Sequence, residues 1–322
     1  MRRAFATALL GTVVFAAATA VHSQTAYPTK PIHILVPYPA GGTPDLVTRA
    51  VAERVSATLG QPFIIEARPG ANGNIAAVAA KSAAPDGYTL MVAAPFLTIN
   101  PLLDANSRFT SRDFEPVVAL AASPNLLVVP ASMPVSSVQE LVAYAKARPG
   151  KLNTANHGTG TSNHMGTELF LATTGTDMTM IGYKGQVQSI PDFLNGQIDF
   201  MFLAAGQAAP HIKSGKIKAL AISAENRLPS LPDVPTVAEA GVPAAVALPW
   251  YGLVAPARTP QDIVNKLNAE FNRALQQPDV IERLRTIYAS TIGGSAADFQ
   301  RLIEAENVRW AAVIKQRGIK AE

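Results

Sequence analysis

Short apolar runs alternate along most of the chain with stretches that carry an apolar residue every three or four positions. IHILVPY, FIIEA and TLMVAAP read as buried strands, and residues 44–59 and 74–83 have helical spacing. KLNTANHG, MTMIGY, IDFMFLA and KALAISA repeat the strand pattern, with helices expected near 137–147, 163–173, 187–195 and 206–214. Strands separated by helices of this length predict an α/β fold with parallel sheets covered on both faces. In such sheets ligands sit at the carboxyl ends of strands.

Two segments break the alternation. FEPVVALAASPNLLVVPASMP (114–134) and ALPWYGLVAPARTP (247–260) are long extended runs, and only helices are expected after the second. Thr259 is the expected N-cap of the first of these helices, with Pro260 in its first turn and Ile263, Leu267, Phe271 and Leu275 on one face. Ser295 and Asp298 have capping-box spacing and open the last helix, whose Phe299, Leu302, Ile303, Val313 and Ile314 are core candidates. Two runs flanking a middle block predict two lobes joined by two crossing strands. Residues 24–123 and 248–322 would form one lobe and 124–247 the other. A single large doubly wound sheet fits the same periodicity.

Charge and composition narrow the setting. Residues 1–23 begin with Arg2 and Arg3, continue uncharged and end in small residues, the pattern of a signal peptide that directs export. The chain has no cysteine, which excludes a lipid-anchored cysteine, disulfides, thiolate metal sites and a cysteine nucleophile. These features predict an exported protein in the periplasm or outside the cell. Lys and Arg total 27 against 23 for Asp and Glu, so without Arg2 and Arg3 the excess is small. No basic run with interleaved aromatics is present, which argues against nucleic acid as a partner. Hydrophobic residues make up 48% of the chain, ample for a core.

The candidate chemistry lies in two glycine loops. VPYPAGGTPD (36–45) joins the first strand to the first helix. Thr43 as N-cap, Pro44 at the first helical position and Asp45 in the first turn are explained by capping and by the helix dipole. Ala40, Gly41 and Gly42 leave backbone amides open to an anion, with Tyr38 nearby. The lysine of a phosphate-binding loop is missing. The residues alone leave a carboxylate site and a plain tight turn both open.

HGTGTSNHMGTE (157–168) is the second loop. Gly158 and Gly160 free the backbone, and Thr159 and Thr161 offer hydroxyls. His157, His164 and Glu168 raise a metal site as the rival reading, but zinc needs a third firm ligand in matching geometry. Tyr183 and Lys184 follow the strand MTMIGY and offer a hydroxyl and a charge, or a solvated turn. No G-x-S-x-G elbow is present, and no motif assembles a nucleophile, base and orienter. No catalytic residue, metal or cofactor is expected.

The order of segments from YPTKPIHILVPYPAGGTPD through GQPFIIEARPGANGNIAA, APDGYTL, AYAKARPGKLNTANHGTGTSNHMGTELF, YKGQVQSIPDFLNGQIDF, HIKSGKIKALAIS and LPDVPTVAEAGVP to WYGLVAPARTP resembles the Bug-type solute-binding receptors of tripartite tricarboxylate transporters. The resemblance continues to RWAAVIKQRGIK and spans essentially the whole mature chain. It implies a two-lobed periplasmic-binding-protein fold (type II, Venus flytrap) with two hinge strands and no catalytic activity. It implies a monomer that captures a small carboxylate and delivers it to integral-membrane permease subunits. In the family the loop matching Ala40–Asp45 holds a ligand carboxylate through amides and ordered water. The loop matching Gly158–His164, with His164 itself, grips from the other lobe. After IDFMF, where relatives often carry an aspartate, this chain has Leu203-Ala204-Ala205. Leu203 is therefore expected as an apolar wall, pointing to a mono- or dicarboxylate with an apolar, even aromatic, body. The runner-up functions are a periplasmic carboxylate sensor feeding a signalling partner, and a metal-dependent enzyme built on His157, His164 and Glu168.

Overall fold

The computed structural model describes residues 27–104 and 107–319, so the expected signal peptide lies outside the described residues. The chain opens with β1 (Ile32–Val36), α1 (Thr43–Leu59), β2 (Phe63–Ala67), α2 (Asn74–Lys81), β3 (Thr89–Ala93), α3 (Phe96–Leu103) and β4 (Phe114–Ala122). A middle block follows: β5 (Asn125–Pro130), α4 (Val138–Lys146), β6 (Asn153–Asn156), α5 (Ser162–Thr174), β7 (Thr179–Gly182), α6 (Gln186–Leu194), β8 (Met201–Ala204), α7 (Ala205–Lys213) and β9 (Ile217–Ser223). The chain returns through β10 (Trp250–Pro256) and ends in α8 (Gln261–Leu275), α9 (Pro278–Thr286), β11 (Ser290–Thr291) and α10 (Ala296–Arg317).

The first and last parts build a six-stranded sheet of order β11-β4-β10-β3-β1-β2, and the middle block builds the sheet β8-β5-β9 and the pair β6-β7. The architecture is two-lobed. Each extended run supplies a crossing: the first contributes β4 to one sheet and β5 to the other. The Ser123 amide donates to the Pro249 carbonyl over 3.1 Å, which ties the two crossings side by side. Among the strands of the described residues, only β1 with β2 and β3, and β6 with β7, form parallel ladders. β10 lies antiparallel to β3 and β4, and β5 antiparallel to β8 and β9, so the six-stranded sheet is mixed and β8-β5-β9 is paired antiparallel, where all-parallel sheets were expected. A strand arriving from the opposite lobe enters the sheet from its other end, which reverses its direction.

Burial explains why these crossings read as unbroken apolar runs. β5 and β10 are buried at every position, as befits a central strand covered on both faces. Along β5, Leu126 and Val128 pack with Met201 and Leu203, while Leu127 and Val129 pack with Phe200 and Phe202. The two-residue period of the strand thus feeds two separate layers of core.

Some local features depart from the sequence reading. α3 is buried from Phe96 to Asn100, so no polar face announces it as a helix. β11 interrupts the expected all-helical end by pairing with β4. Gly42, not Thr43, caps α1, and Pro260, not Thr259, caps α8; the Thr259 hydroxyl instead donates to the Pro256 carbonyl. Ser295 and Asp298 form both halves of the capping box of α10.

The lobes meet on an apolar seam. Ile99 of α3 and Trp310 of α10 pack with Met165 and Leu169 of α5, all four essentially buried. The cleft opens beside this seam.

Candidate functional site

A cavity of about 350 Å³ lies between the lobes, where the carboxyl ends of several strands turn into helices. Lobe one contributes Tyr38, Ala40, Gly42 and Thr43 from the β1–α1 junction, together with Pro95 before α3 and Tyr251 on β10. The middle lobe contributes His157, Thr161 and Asn163 around the head of α5, Lys184 to Gln188 around the head of α6, and Gln207 in the first turn of α7. The first turns of α1, α5, α6 and α7 therefore all face one space.

This arrangement sets the electrostatics. The opening N–H groups of a helix have no partner within it, and the helix dipole adds partial positive charge there. The amides of Ala40, Thr43, Ser162 and Asn163 make no hydrogen bond among the described residues. No aspartate or glutamate is among the lining residues, and Lys184 is the one charged side chain there. Tyr38 and Tyr251 keep their phenol protons, because burial pushes both pKa values far up. Prolines 39, 44, 95 and 249 supply rigid apolar walls.

The loop at residues 40–45 is internally clamped. The Gly41 amide donates to Asp45 Oδ2 over 2.9 Å, and Arg49 Nε lies 3.0 Å from each Asp45 oxygen. Asp45 is 2% exposed and, like Gly41, does not line the cavity. Its carboxylate fixes the loop and takes up the Gly41 amide, leaving those of Ala40 and Thr43 free.

The second glycine loop is placed differently from the sequence reading. Thr161 caps α5, accepting from the His164 amide and donating to the Gly158 carbonyl. His164 Nδ1 accepts from the Gly160 amide at 3.3 Å, and its Nε2 lies 3.6 Å from Glu168 Oε1. Both ring nitrogens are thus engaged, and His164 is off the cavity wall. Gly158 and Gly160 have φ of +119° and +81°, and a Cβ at either would strike Asn72 or Asn100 of the other lobe. These glycines serve the approach of the lobes, and Thr159 is likewise absent from the cavity wall.

Two further expected residues lie elsewhere. The Tyr183 hydroxyl donates to Asp192 Oδ2 at 2.7 Å, and burial together with that carboxylate pushes its pKa up to about 12. Leu203 is fully buried in the core of the middle lobe and forms no wall of the cavity. Of the expected set, Tyr38, Ala40, Gly42 and Thr161 reach the cavity. Asn163, Gln186 to Gln188, Gln207 and Tyr251 were not among the residues singled out. The strand-to-helix junctions at β7–α6 and β8–α7 were the available signal. Among the described residues, no group of three or more His, Asp or Glu is placed to hold a metal.

The family model for the tripartite tricarboxylate transporter family receptor matches residues 47–319. Protein BugT of Bordetella pertussis is 35% identical over 301 residues, covering 92% of each chain. The R. palustris protein Rpa4515, solved with adipate, superposes with a TM-score of 0.86 at 37% identity, covering 91% of this chain and 99% of that one. MatC from Rhodopseudomonas palustris, solved with bound malate, superposes with a TM-score of 0.83 at 33% identity, covering 89% and 100%.

Proposed function

The chain belongs to the tripartite tricarboxylate transporter receptor family, and we propose that it captures a small carboxylate in the periplasm and delivers it to a membrane permease. The observation that carries this reading is the cavity lined by four helix first turns and by no carboxylate side chain. A planar carboxylate needs two or three aligned donors, and Ala40 and Thr43 of one lobe and Ser162 and Asn163 of the other, whose amides have no partner among the described residues, all line the cavity. Each charge-assisted hydrogen bond contributes about 1.5–3 kcal/mol net. Several of them support micromolar affinity, which requires about 8 kcal/mol. Prolines and the Tyr38 and Tyr251 rings cover the apolar part of the ligand. Adipate and malate in the two related structures are carboxylates of suitable size. Closure follows from the same geometry, because a ligand held by amides of both lobes binds the closed form better than the open one.

No helix among the described residues is long and apolar enough to cross a membrane. Residues 1–23 would direct export, and 24–123 with 248–322 and 124–247 would form the two lobes. A thermal-shift screen of mono-, di- and tricarboxylates against amines and sugars tests the reading. Carboxylates at a hundred times their Kd are expected to stabilise the protein by about 2.7 kcal/mol. Stabilisation by amines or sugars alone rejects it.

A further inference from the structure

We propose that the Tyr38 and Tyr251 hydroxyls form a second polar subsite in the cavity, one that takes a carboxylate or carbonyl oxygen of the ligand beyond the carboxylate held by the helix amides. The inference rests on the carboxylate reading above and names the second group that the cavity recognises.

Tyr38 closely follows β1, and Tyr251 lies on β10 just beyond Pro249, where the two crossings are tied together. Both line the cavity. The Tyr38 ring is held edge-on against Phe96, with centroids 6.2 Å apart. Tyr251 is 7% exposed, and its strand is central in the sheet and buried at every position. The part of Tyr251 left open is therefore the part that lines the cavity. Neither phenol oxygen has a hydrogen-bond partner among the described residues, and neither is among the unpaired side-chain atoms sealed inside the protein, as His157 Nδ1 is. Both hydroxyls are thus free and open to a molecule in the cavity. Burial keeps them protonated, and Tyr251 is close enough to Tyr38 to push its pKa up further. Thr43 Oγ1, on another lining residue, is a third hydroxyl that is neither paired nor sealed.

One carboxylate cannot use all of these donors. Its two oxygens offer about four lone-pair positions, and the unpaired amides of Ala40, Thr43, Ser162 and Asn163 already match that number. The hydroxyls and the Lys184 ammonium are left over. Donors enclosed without a partner as the lobes close oppose binding. A hydrocarbon end would leave them so. An ammonium would meet helix N-termini and Lys184, with no acidic side chain on the wall. A carboxylate or carbonyl oxygen accepts two hydrogen bonds and donates none, which suits two neighbouring phenols that both donate. The sequence reading based on Leu203 pointed to an apolar ligand body, and the burial of Leu203 in the core removes that argument.

Titration calorimetry on the mature protein tests this with acids matched in chain length: butyrate with succinate, pentanoate with levulinate, and hexanoate with adipate. In a pair that binds, the acid with the second acceptor is expected to bind about tenfold tighter, the effect of filling donors that the plain acid leaves unpaired. A preference for succinate or adipate identifies the second group as a carboxylate, and one for levulinate alone as a carbonyl. The double variant Tyr38→Phe, Tyr251→Phe keeps both rings and should bring the pair within about twofold. Its urea midpoint without ligand should match that of the wild type, because the hydroxyls have no partner to lose. Equal binding within every pair by the wild type, or a preference that survives in the double variant, overturns the proposal and leaves the carboxylate reading standing. Binding of no carboxylate in the panel overturns both. If the double variant does not fold, the single variants decide: each should reduce the preference about threefold, and an undiminished preference in both overturns the proposal.

Discussion

Asp45 illustrates how one carboxylate can shape an anion site without touching the ligand. Helix stabilisation explains its place in the first turn, and the family resemblance includes it in the loop that holds a ligand carboxylate. The structure gives it the Gly41 amide and Arg49 as partners and buries it. Asp45→Asn is therefore expected to cost about 1–2 kcal/mol in a urea melt, since a buried charged hydrogen bond is weakened. The Arg49 share is small because that side chain is half exposed. Affinity for all carboxylates should fall together, and a change in their rank order would contradict this account. His157 adds a pH signature. Its folded pKa lies near 3, well below an unfolded histidine, so the unfolded chain binds the extra proton first as pH drops. Its contribution is complete above about pH 6.5 and is lost as pH falls towards 3, at roughly 1 kcal/mol per pH unit. His157→Phe should flatten the stability slope between about pH 4 and 6, as read by denaturation at each pH.

The helices and their connecting loops decide how the lobes meet. α3 and α10 of one lobe face α5 of the other across Ile99, Trp310, Met165 and Leu169. Beside that seam, Gly160 lets the α5 loop approach Asn100, whose Nδ2 donates to the Asn72 carbonyl and to Asn74 Oδ1. Gly160→Ala would place a methyl group against Asn100 at a φ of +81°. Strain of about 1–3 kcal/mol in the closed form is expected to weaken ligand binding roughly tenfold. Calorimetry reads the affinity and small-angle scattering reads a more open liganded molecule. Unchanged values in both would show that the loops do not meet when ligand is bound. This contact was not legible from the sequence, where both glycines looked like ligand-facing residues. Glycine at positive φ signals close approach by something, and the amino-acid order does not say whether that is a ligand or the opposite lobe.

For the whole molecule, ligand is expected to act as a bridge. Small-angle scattering should show a smaller radius of gyration when a binding carboxylate is added, because only the closed form joins the donors of both lobes. An identical curve with and without ligand would remove the bridging mechanism. Most of the architecture could be read from one dimension. Strand and helix periods depend on local side-chain alternation, so β1, β2, β9 and most helices emerge within one or two residues of their observed bounds. The two crossings were visible because central strands must be apolar on both faces. The β1–α1 loop was also legible, since it is contiguous and ends in a helix start. Strand direction, the helix α3 hidden in an apolar run, and the middle lobe's half of the cavity came only with folding. His157, Gln186 and Gln207 lie on separate elements, and their shared space is set by how α5, α6 and α7 pack on the sheet. A proton's position on His157 depends on Ser189 and Gln186, which are about thirty residues away along the chain. Local pattern thus determined the elements and one anion-binding loop, while long-range packing determined which donors and acceptors face the ligand.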